Sequence, residues 1–188
     1  GWKGSIDSQV ESLRARAAAG KAALAASAKA DTLQAELDAL LKDIAGRLPV
    51  QVGLVVVKRR IRVGEVVGSW CKTKGNSAKR ELSKAEFKDE TFKLGVQVNG
   101  EMVTRKALGE LFDSVDTDHS GWLDLEEAKA ALRGWEEAAI AAERERTAKE
   151  RQVRRSKSLA ARKLQAALRE PTASPGISPP NSPGGYAS

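Results

Sequence analysis

Twelve residues in the second half of the chain, D-T-D-H-S-G-W-L-D-L-E-E from Asp116 to Glu127, constrain the local fold more tightly than any other segment. Oxygen-bearing side chains recur at every second position where the run begins, and a glutamate closes it. Gly121 lies at the sixth position, where such a run must turn sharply, and glycine adopts that backbone conformation without a steric penalty. The pattern therefore predicts a tight acidic loop whose oxygen atoms surround a common point.

The spacing of these oxygens is that of a calcium-binding loop, with ligands at positions 1, 3, 5, 7, 9 and 12. Trp122, at position 7, would contribute its backbone carbonyl, and the other ligands are side chains. An acidic turn before a helix would explain Asp124 and Glu127, but it does not explain the D-x-D-x-S-G order upstream. The predicted metal ligands are Asp116, Asp118, Ser120, Trp122, Asp124 and Glu127.

This run resembles the loop of the EF-hand family. The resemblance implies a helix–loop–helix unit that holds Ca²⁺, with Mg²⁺ as a competitor, and a Glu127 carboxylate that closes the ligand shell. It also implies a paired loop, because EF-hands generally work in pairs, with Leu123 at the position where two loops lie side by side.

The paired loop is predicted at Gly75–Glu86, where Leu82 and Glu86 correspond to loop positions 8 and 12. The carboxylates of the other positions are missing, and Lys79 and Arg80 stand at positions 5 and 6. We therefore expect a degenerate loop and one Ca²⁺ per chain. An unrelated helix–turn–helix is the alternative for this half.

Helical patterns on both sides of the two loops predict an EF-hand pair over residues 50–135. Val63, Val66, Val67 and Trp70 follow the spacing of one buried helix face, and Thr104 is placed to cap a second helix. The segment between the halves, Gly95–Gly100, is predicted to be a linker.

Residues 1–49 are predicted to form an Ala-rich helical segment. Two apolar stripes share a heptad-like spacing but differ in phase, and Gly46 with Pro49 is expected to end the run. Two alternatives are open: self-association through residues 6–48 as a short coiled coil, and a helix that packs on its own protein or stays solvated. The stripes are Ile6, Val10, Leu13, Ala17, Gly20 and Leu24, and then Leu33, Leu37, Leu40 and Ile44.

Residues 136–170 are predicted to extend the last helix as a long charged segment, which becomes basic over 151–169. A basic helix suits an acidic protein groove, a membrane surface or nucleic acid, although the aromatic side chains that stack on single-stranded bases are absent there. A solvated face is the alternative. Residues 171–188, rich in Ser and Pro, are predicted to be a disordered tail.

Composition excludes several classes of function. The 188 residues contain one Cys and one His, which leaves no intramolecular disulfide and no conventional nucleophile–base pair. The longest apolar run, 50–57, is too short to span a bilayer. We therefore expect a non-enzymatic, cytoplasmic protein, and the absence of an initiating Met suggests an internal fragment of a longer one.

The sequence thus predicts an all-α protein in which an EF-hand pair is flanked by long Ala- and charge-rich helices and a disordered C-terminal tail. The predicted function is Ca²⁺ binding by a sensor or regulatory module, with a protein partner at the EF-hand groove or at the basic helix 151–169. Two alternatives are a structural helical protein with a static Ca²⁺ site and a basic-helix binder of membranes or nucleic acid.

Overall fold

Six α-helices dominate the part of the chain that the computed structural model describes, residues 2–73 and 80–169. The predicted all-α class is confirmed at this level. The tail at 171–188 and the loop positions Gly75, Ser77 and Lys79 lie outside the described residues. The helices are α1 (Trp2–Gly46), α2 (Leu48–Lys58), α3 (Val63–Trp70), α4 (Lys84–Lys93), α5 (Arg105–Asp113) and α6 (Leu125–Leu168).

Five short strands lie between these helices and form two small antiparallel sheets in the described residues. The first sheet has the order β1–β2–β5, and the second is the hairpin β3–β4. The strands are β1 (Lys72–Thr73), β2 (Arg80–Ser83), β3 (Gln97–Val98), β4 (Glu101–Met102) and β5 (Trp122–Asp124).

The hairpin β3–β4 replaces the linker that was predicted at Gly95–Gly100, so that prediction is wrong. Asn99 and Gly100 at its tip have φ angles of 53° and 82°. Both central residues of such a two-residue turn need positive φ, and Asn-Gly is the pair that adopts it most easily. The backbone N–H of Asn99 also donates to the carbonyl of Ala45, which ties the hairpin to the end of α1.

The main hydrophobic core joins α2 to the four helices α3–α6. Phe87, from α4, makes edge-on ring contacts with Phe112 of α5 and Trp135 of α6, at centroid distances of 5.5 and 6.3 Å. Val52 and Val56 of α2 pack into the same cluster and are almost completely buried. This core holds the ends of α5 and α6 in place on either side of the acidic loop.

Helix α2 packs against α6 more closely than a side chain would permit. A Cβ on Gly53 would lie 1.9 Å from the backbone carbonyl oxygen of Trp135. The opposite edge of α2 contributes Val50 and Leu54 to a second buried cluster, with Ile44 and Ala139. The Val-rich run 50–57 is therefore a core helix.

Helices α1 and α6 pack along one another as a long antiparallel pair. The buried seam on α1 has an unbroken 3-4 spacing, and Val153 of α6 packs against its Leu33 and Leu37. The seam joins the second predicted stripe to three alanines rather than to the first stripe, because small side chains let the helices approach closely. The seam residues are Ala23, Ala26, Ala30, Leu33, Leu37 and Ile44, which are buried, and Leu40, which is partly buried.

The basic part of α6 therefore lies on α1, away from the core of α2–α5. Lys149 of α6 pairs with Glu36 of α1, and Lys157 Nζ donates to the side-chain oxygen of Gln34 at 2.8 Å. None of the helices in the described parts of the chain has the length and apolar character that a membrane span requires.

Candidate metal centre

Two capped helices frame the acidic loop. Thr104 caps α5, as predicted, by accepting the backbone N–H of Ala107 at 3.2 Å. At the start of α6, Asp124 accepts the N–H groups of Glu126 and Glu127 at 2.8 and 2.7 Å. These caps fix where α5 and α6 begin, and because α5 ends at Asp113, residues 114–121 form the connecting turn.

Asp116 organises the turn from the inside. It is the one buried carboxylate among the described residues, with 4% of its surface exposed. One of its oxygens accepts the N–H of Gly121 at 2.8 Å, and the other accepts the N–H of Ser120 at 3.1 Å. Gly121 has a φ of +79°, so the sharp turn predicted at this glycine is present.

Asp118 and Ser120 form the outer rim of the turn. The hydroxyl of Ser120 donates to the carbonyl of Trp122 at 2.8 Å, and its N–H also donates to Asp118 at 3.0 Å. Hydrogen bonding from Ser120 lowers the pKa of Asp118 below its ordinary value. The Asp118 carboxylate is therefore ionised at neutral pH. His119 is exposed and has a φ of 54°, so it is a solvent-facing residue of the turn.

Glu127 reaches back from the first turn of α6 to the loop. One carboxylate oxygen accepts the backbone N–H of Asp124 at 3.1 Å, which completes a capping box. The other oxygen accepts the hydroxyl of Thr117 at 3.2 Å. Thr117 was not singled out in the sequence, because its position carries no ligand in the loop pattern.

The loop borders an open cavity of about 450 Å³. Five of the six predicted ligands line it: Asp118, Ser120, Trp122, Asp124 and Glu127. Asp116 lies behind them, buried under the turn. The structure therefore brings the predicted residues to one place in the fold.

The four carboxylates of the loop nevertheless do not converge on one point. Throughout residues 2–73 and 80–169, no group of three or more Asp, Glu, His or Cys side chains is arranged to hold a metal ion. The expected convergence is therefore not found. The physical reason is that carboxylates repel one another at close range, whereas each one here has N–H or O–H donors within its own turn.

The strand of the acidic loop pairs with the segment that was predicted as a second loop. Leu82 of β2 lies opposite Leu123 of β5 in an antiparallel register, and both side chains are buried. This pairing places Glu81 opposite Asp124 and brings Arg80 to the wall of the cavity. In the described part of the predicted second loop, β2 thus provides the paired strand, Leu82 the buried contact and Arg80 a positive charge at the cavity wall.

Glu86, the closing residue of that second segment, is used in the same way as Glu127. Its carboxylate accepts the backbone N–H of Ser83 at 3.0 Å, and Ser83 accepts the N–H of Glu86 in return. Each of the two strands β2 and β5 is thus followed by a helix that starts with a capping box and a glutamate at its third position.

Donor chemistry limits which ions suit the loop. Carboxylate, hydroxyl and carbonyl oxygens are hard donors, which favour Ca²⁺ and Mg²⁺ over the transition metals that nitrogen and sulfur ligands select. Cys71, the nearest sulfur, is buried beside β1, and burial, followed by the charge of Asp124, raises the pKa of its thiol. No thiolate is therefore offered to the loop at neutral pH.

The chain was compared with protein-family models, curated proteins and solved structures, and none of them matches it.

Proposed function

We propose that this protein binds one Ca²⁺ per chain through the loop Asp116–Glu127, as the intact member of a pair of EF-hand-like loops. The observation that carries the proposal is that five of the six predicted oxygen ligands line one cavity beside a left-handed glycine. The opposed leucines of β2 and β5 support the paired arrangement.

Ligation would require the side chains of the loop to turn from their present hydrogen bonds toward a common point. Asp116 is already held by two backbone N–H groups, and Asp118 is ionised. Glu127 would exchange its hydrogen bonds with Asp124 and Thr117 for the metal, which would draw the first turn of α6 toward the loop. A bound Ca²⁺ would supply the positive charge that offsets repulsion among the four carboxylates, and loops of this type bind it at about 10⁻⁷–10⁻⁵ M.

Arg80 offers a way to tune this affinity. It lines the same cavity and places a positive charge near the acidic loop, and this charge makes the binding of a metal cation there less favourable. Arg80→Gln is therefore expected to tighten Ca²⁺ binding about threefold, given that exposed charge pairs contribute less than ~1 kcal/mol. Calorimetric titration would measure it, with Arg133→Gln, an exposed arginine of α6 outside the cavity lining, as the control.

The apolar cleft between the two halves is filled by α2, rather than by the basic helix 151–169. Val52 and Val56 are buried in it, with Trp135 against Gly53. If the protein is a sensor, Ca²⁺ must loosen α2 from α6 and expose apolar surface. A static structural site is the second candidate, and the fit of Gly53 on α6 favours it, because so close a contact resists opening.

Terbium luminescence tests the site. Excitation of Trp122 should sensitise Tb³⁺ bound at the loop, and Glu127→Gln should abolish the emission. Glu126→Gln is the matched control, because Glu126 is adjacent and acidic but is absent from the ligand pattern. Emission that persists in Glu127→Gln, or none in the unmodified protein, would refute the assignment.

Two further measurements divide the remaining alternatives. Calorimetric titration should give one Ca²⁺ site per chain, and two sites would overturn the degenerate second loop. A hydrophobic dye added with and without Ca²⁺ separates a sensor from a static site. A rise in dye fluorescence indicates release of α2, and no change indicates the structural role.

A further inference from the structure

The N-terminal part of α1 extends beyond the region that α6 covers. Every residue from 6 to 18 is exposed, whereas the buried seam begins at Ala23. The first predicted stripe begins on this overhang, from Ile6 to Ala17, and continues to Gly20 and Leu24, and its large apolar side chains face solvent. Ile6 is 54% exposed, Leu13 is 63% exposed, and Leu24 at the far end of the stripe is 73% exposed.

The overhang leads into an apolar groove between α1 and α6. The groove has a volume of about 510 Å³, and small side chains of both helices form much of its wall, among them Gly20, Ala23 and Ala160. Leu164 and Leu168 of α6 also line it, and they are 54% and 71% exposed. This end of the α1–α6 pair therefore offers a groove that a further helix could fill.

The overhang carries large apolar side chains, whereas small residues form much of the groove. The stripe from Ile6 to Leu24 follows a heptad spacing, so a second α1 can pack on it in antiparallel orientation. In the register that pairs Ile6 with Leu24, Leu13 lies opposite Ala17 and Val10 lies opposite Gly20. The two inner layers of the pairing thus set a large side chain against a small residue, and Ile6 and Leu24 form an apolar contact at each end.

Charge complementarity favours the same register. It places Asp7 of one copy beside Lys21 of the other, and the two-fold symmetry produces that pair twice. The groove end is basic, since residues 151–169 contain seven Lys or Arg and no acidic residue, whereas Asp7 and Glu11 make the start of the overhang acidic. At the centre of the segment the same register brings Arg14 and Arg16 of each copy toward those of the other copy, so the attraction comes from the two ends of the segment and is partly offset at its middle.

We propose that a second copy of this chain occupies the groove, through antiparallel pairing of residues 6–24. A contact made by one short helix pair is smaller than the ~800 Å² per partner of standard interfaces. The dimer is therefore expected to be weak, with a dissociation constant in the micromolar range. The pairing does not depend on the proposed Ca²⁺ site, and it is measured with EDTA present.

A charge-swap series, followed by sedimentation equilibrium from about 1 to 300 μM, tests the register. Asp7→Lys alone and Lys21→Asp alone should each weaken the dimer about tenfold, because two attractive pairs become repulsive. The double variant should restore the original dissociation constant to within about threefold. Asp7 and Lys21 are about 21 Å apart along one helix, so they cannot pair within a chain and rescue must act between copies.

A second pair of variants tests the apolar seam. Leu13→Asp should abolish the dimer, while Ser8→Asp, on the opposite side of the helix, should leave it within about threefold. Both residues are exposed, so neither substitution removes a packed side chain. Circular dichroism of each variant confirms that the helices persist.

Three outcomes would overturn the proposal. The chain could remain monomeric at about 300 μM, which would leave the basic groove to an acidic helix of another protein. The dimer could survive Leu13→Asp, which would place the interface elsewhere. The double charge swap could remain as weak as the single variants, which would exclude this register.

Discussion

The contact between Gly53 and the backbone of Trp135 leads to the sharpest stability prediction. A methyl group at residue 53 would lie 1.9 Å from the Trp135 carbonyl oxygen, 2.5 Å from its carbonyl carbon and 2.9 Å from Cβ of Ala139. Real Cβ atoms do not approach other atoms within 3.0 Å, so α2 must move about 1 Å from α6. No rotamer change relieves the clash, because its main partner is backbone.

Two opposing effects set the magnitude for Gly53→Ala. Alanine is favoured over glycine in a helix interior by about 1 kcal/mol. Overpacking a well-filled core costs about 3 kcal/mol where the backbone itself must move. We therefore expect Gly53→Ala to reduce the free energy of unfolding by about 2 kcal/mol, measured by urea denaturation and far-ultraviolet circular dichroism.

Gly134→Ala is the matched control, because this residue is the neighbour of Trp135 in the chain and is exposed on α6, with no atom within 4 Å of the position that a Cβ would take. Only the propensity effect applies there, so the variant should be about 1 kcal/mol more stable than the parent. If Gly53→Ala is as stable as the parent, or gains stability as Gly134→Ala does, the packing of α2 on α6 is wrong.

Three other predictions concern local features. Ser83→Ala removes the hydroxyl that accepts the N–H of Glu86, and urea denaturation should show a loss of about 1 kcal/mol of stability. Gly100→Ala forces an L-residue to a φ of +82° and should also lose about 1 kcal/mol, seen as a lower melting temperature, although no atom blocks its Cβ. Because burial raises the pKa of the Cys71 thiol from 9.0, the folded protein should react with Ellman's reagent much more slowly at pH 8 than the urea-unfolded chain. The folded state disfavours the Cys71 thiolate, so this contribution to stability is complete below pH 9.0 and declines as pH rises above it, and Cys71→Ala should flatten that decline.

The local elements around the acidic loop were accessible from the sequence because short-range chemistry determines them. The cap at Thr104, the turn at Gly121 and the start of α6 at Asp124 depend on residues no more than a few positions away. The hairpin at Asn99–Gly100 belongs to the same category, and the Asn-Gly pair was a sufficient signal for it.

The long-range packing could not be predicted from the sequence in the same way. Helix α2 is rich in β-branched valines, whose intrinsic helix preference is weak, and it is helical because α6, more than 80 residues further along the chain, covers it. The seam of α1 was also hidden, since Ala23, Ala26 and Ala30 have little hydropathy, whereas the conspicuous Leu24 faces solvent. The arrangement of the loop carboxylates likewise depends on charge repulsion that the ligand spacing does not encode.

The dependence of α2 on α6 has a consequence for the order in which the protein folds. During synthesis, the valines of α2 leave the ribosome well before residues 125–168 exist to cover them. Until then, the segment Val50–Val57 has the composition of an aggregation-prone strand, with one glycine and no charge. The nascent chain therefore exposes this apolar segment until α6 has been synthesised, and aggregation through it is expected to be most favourable during that interval.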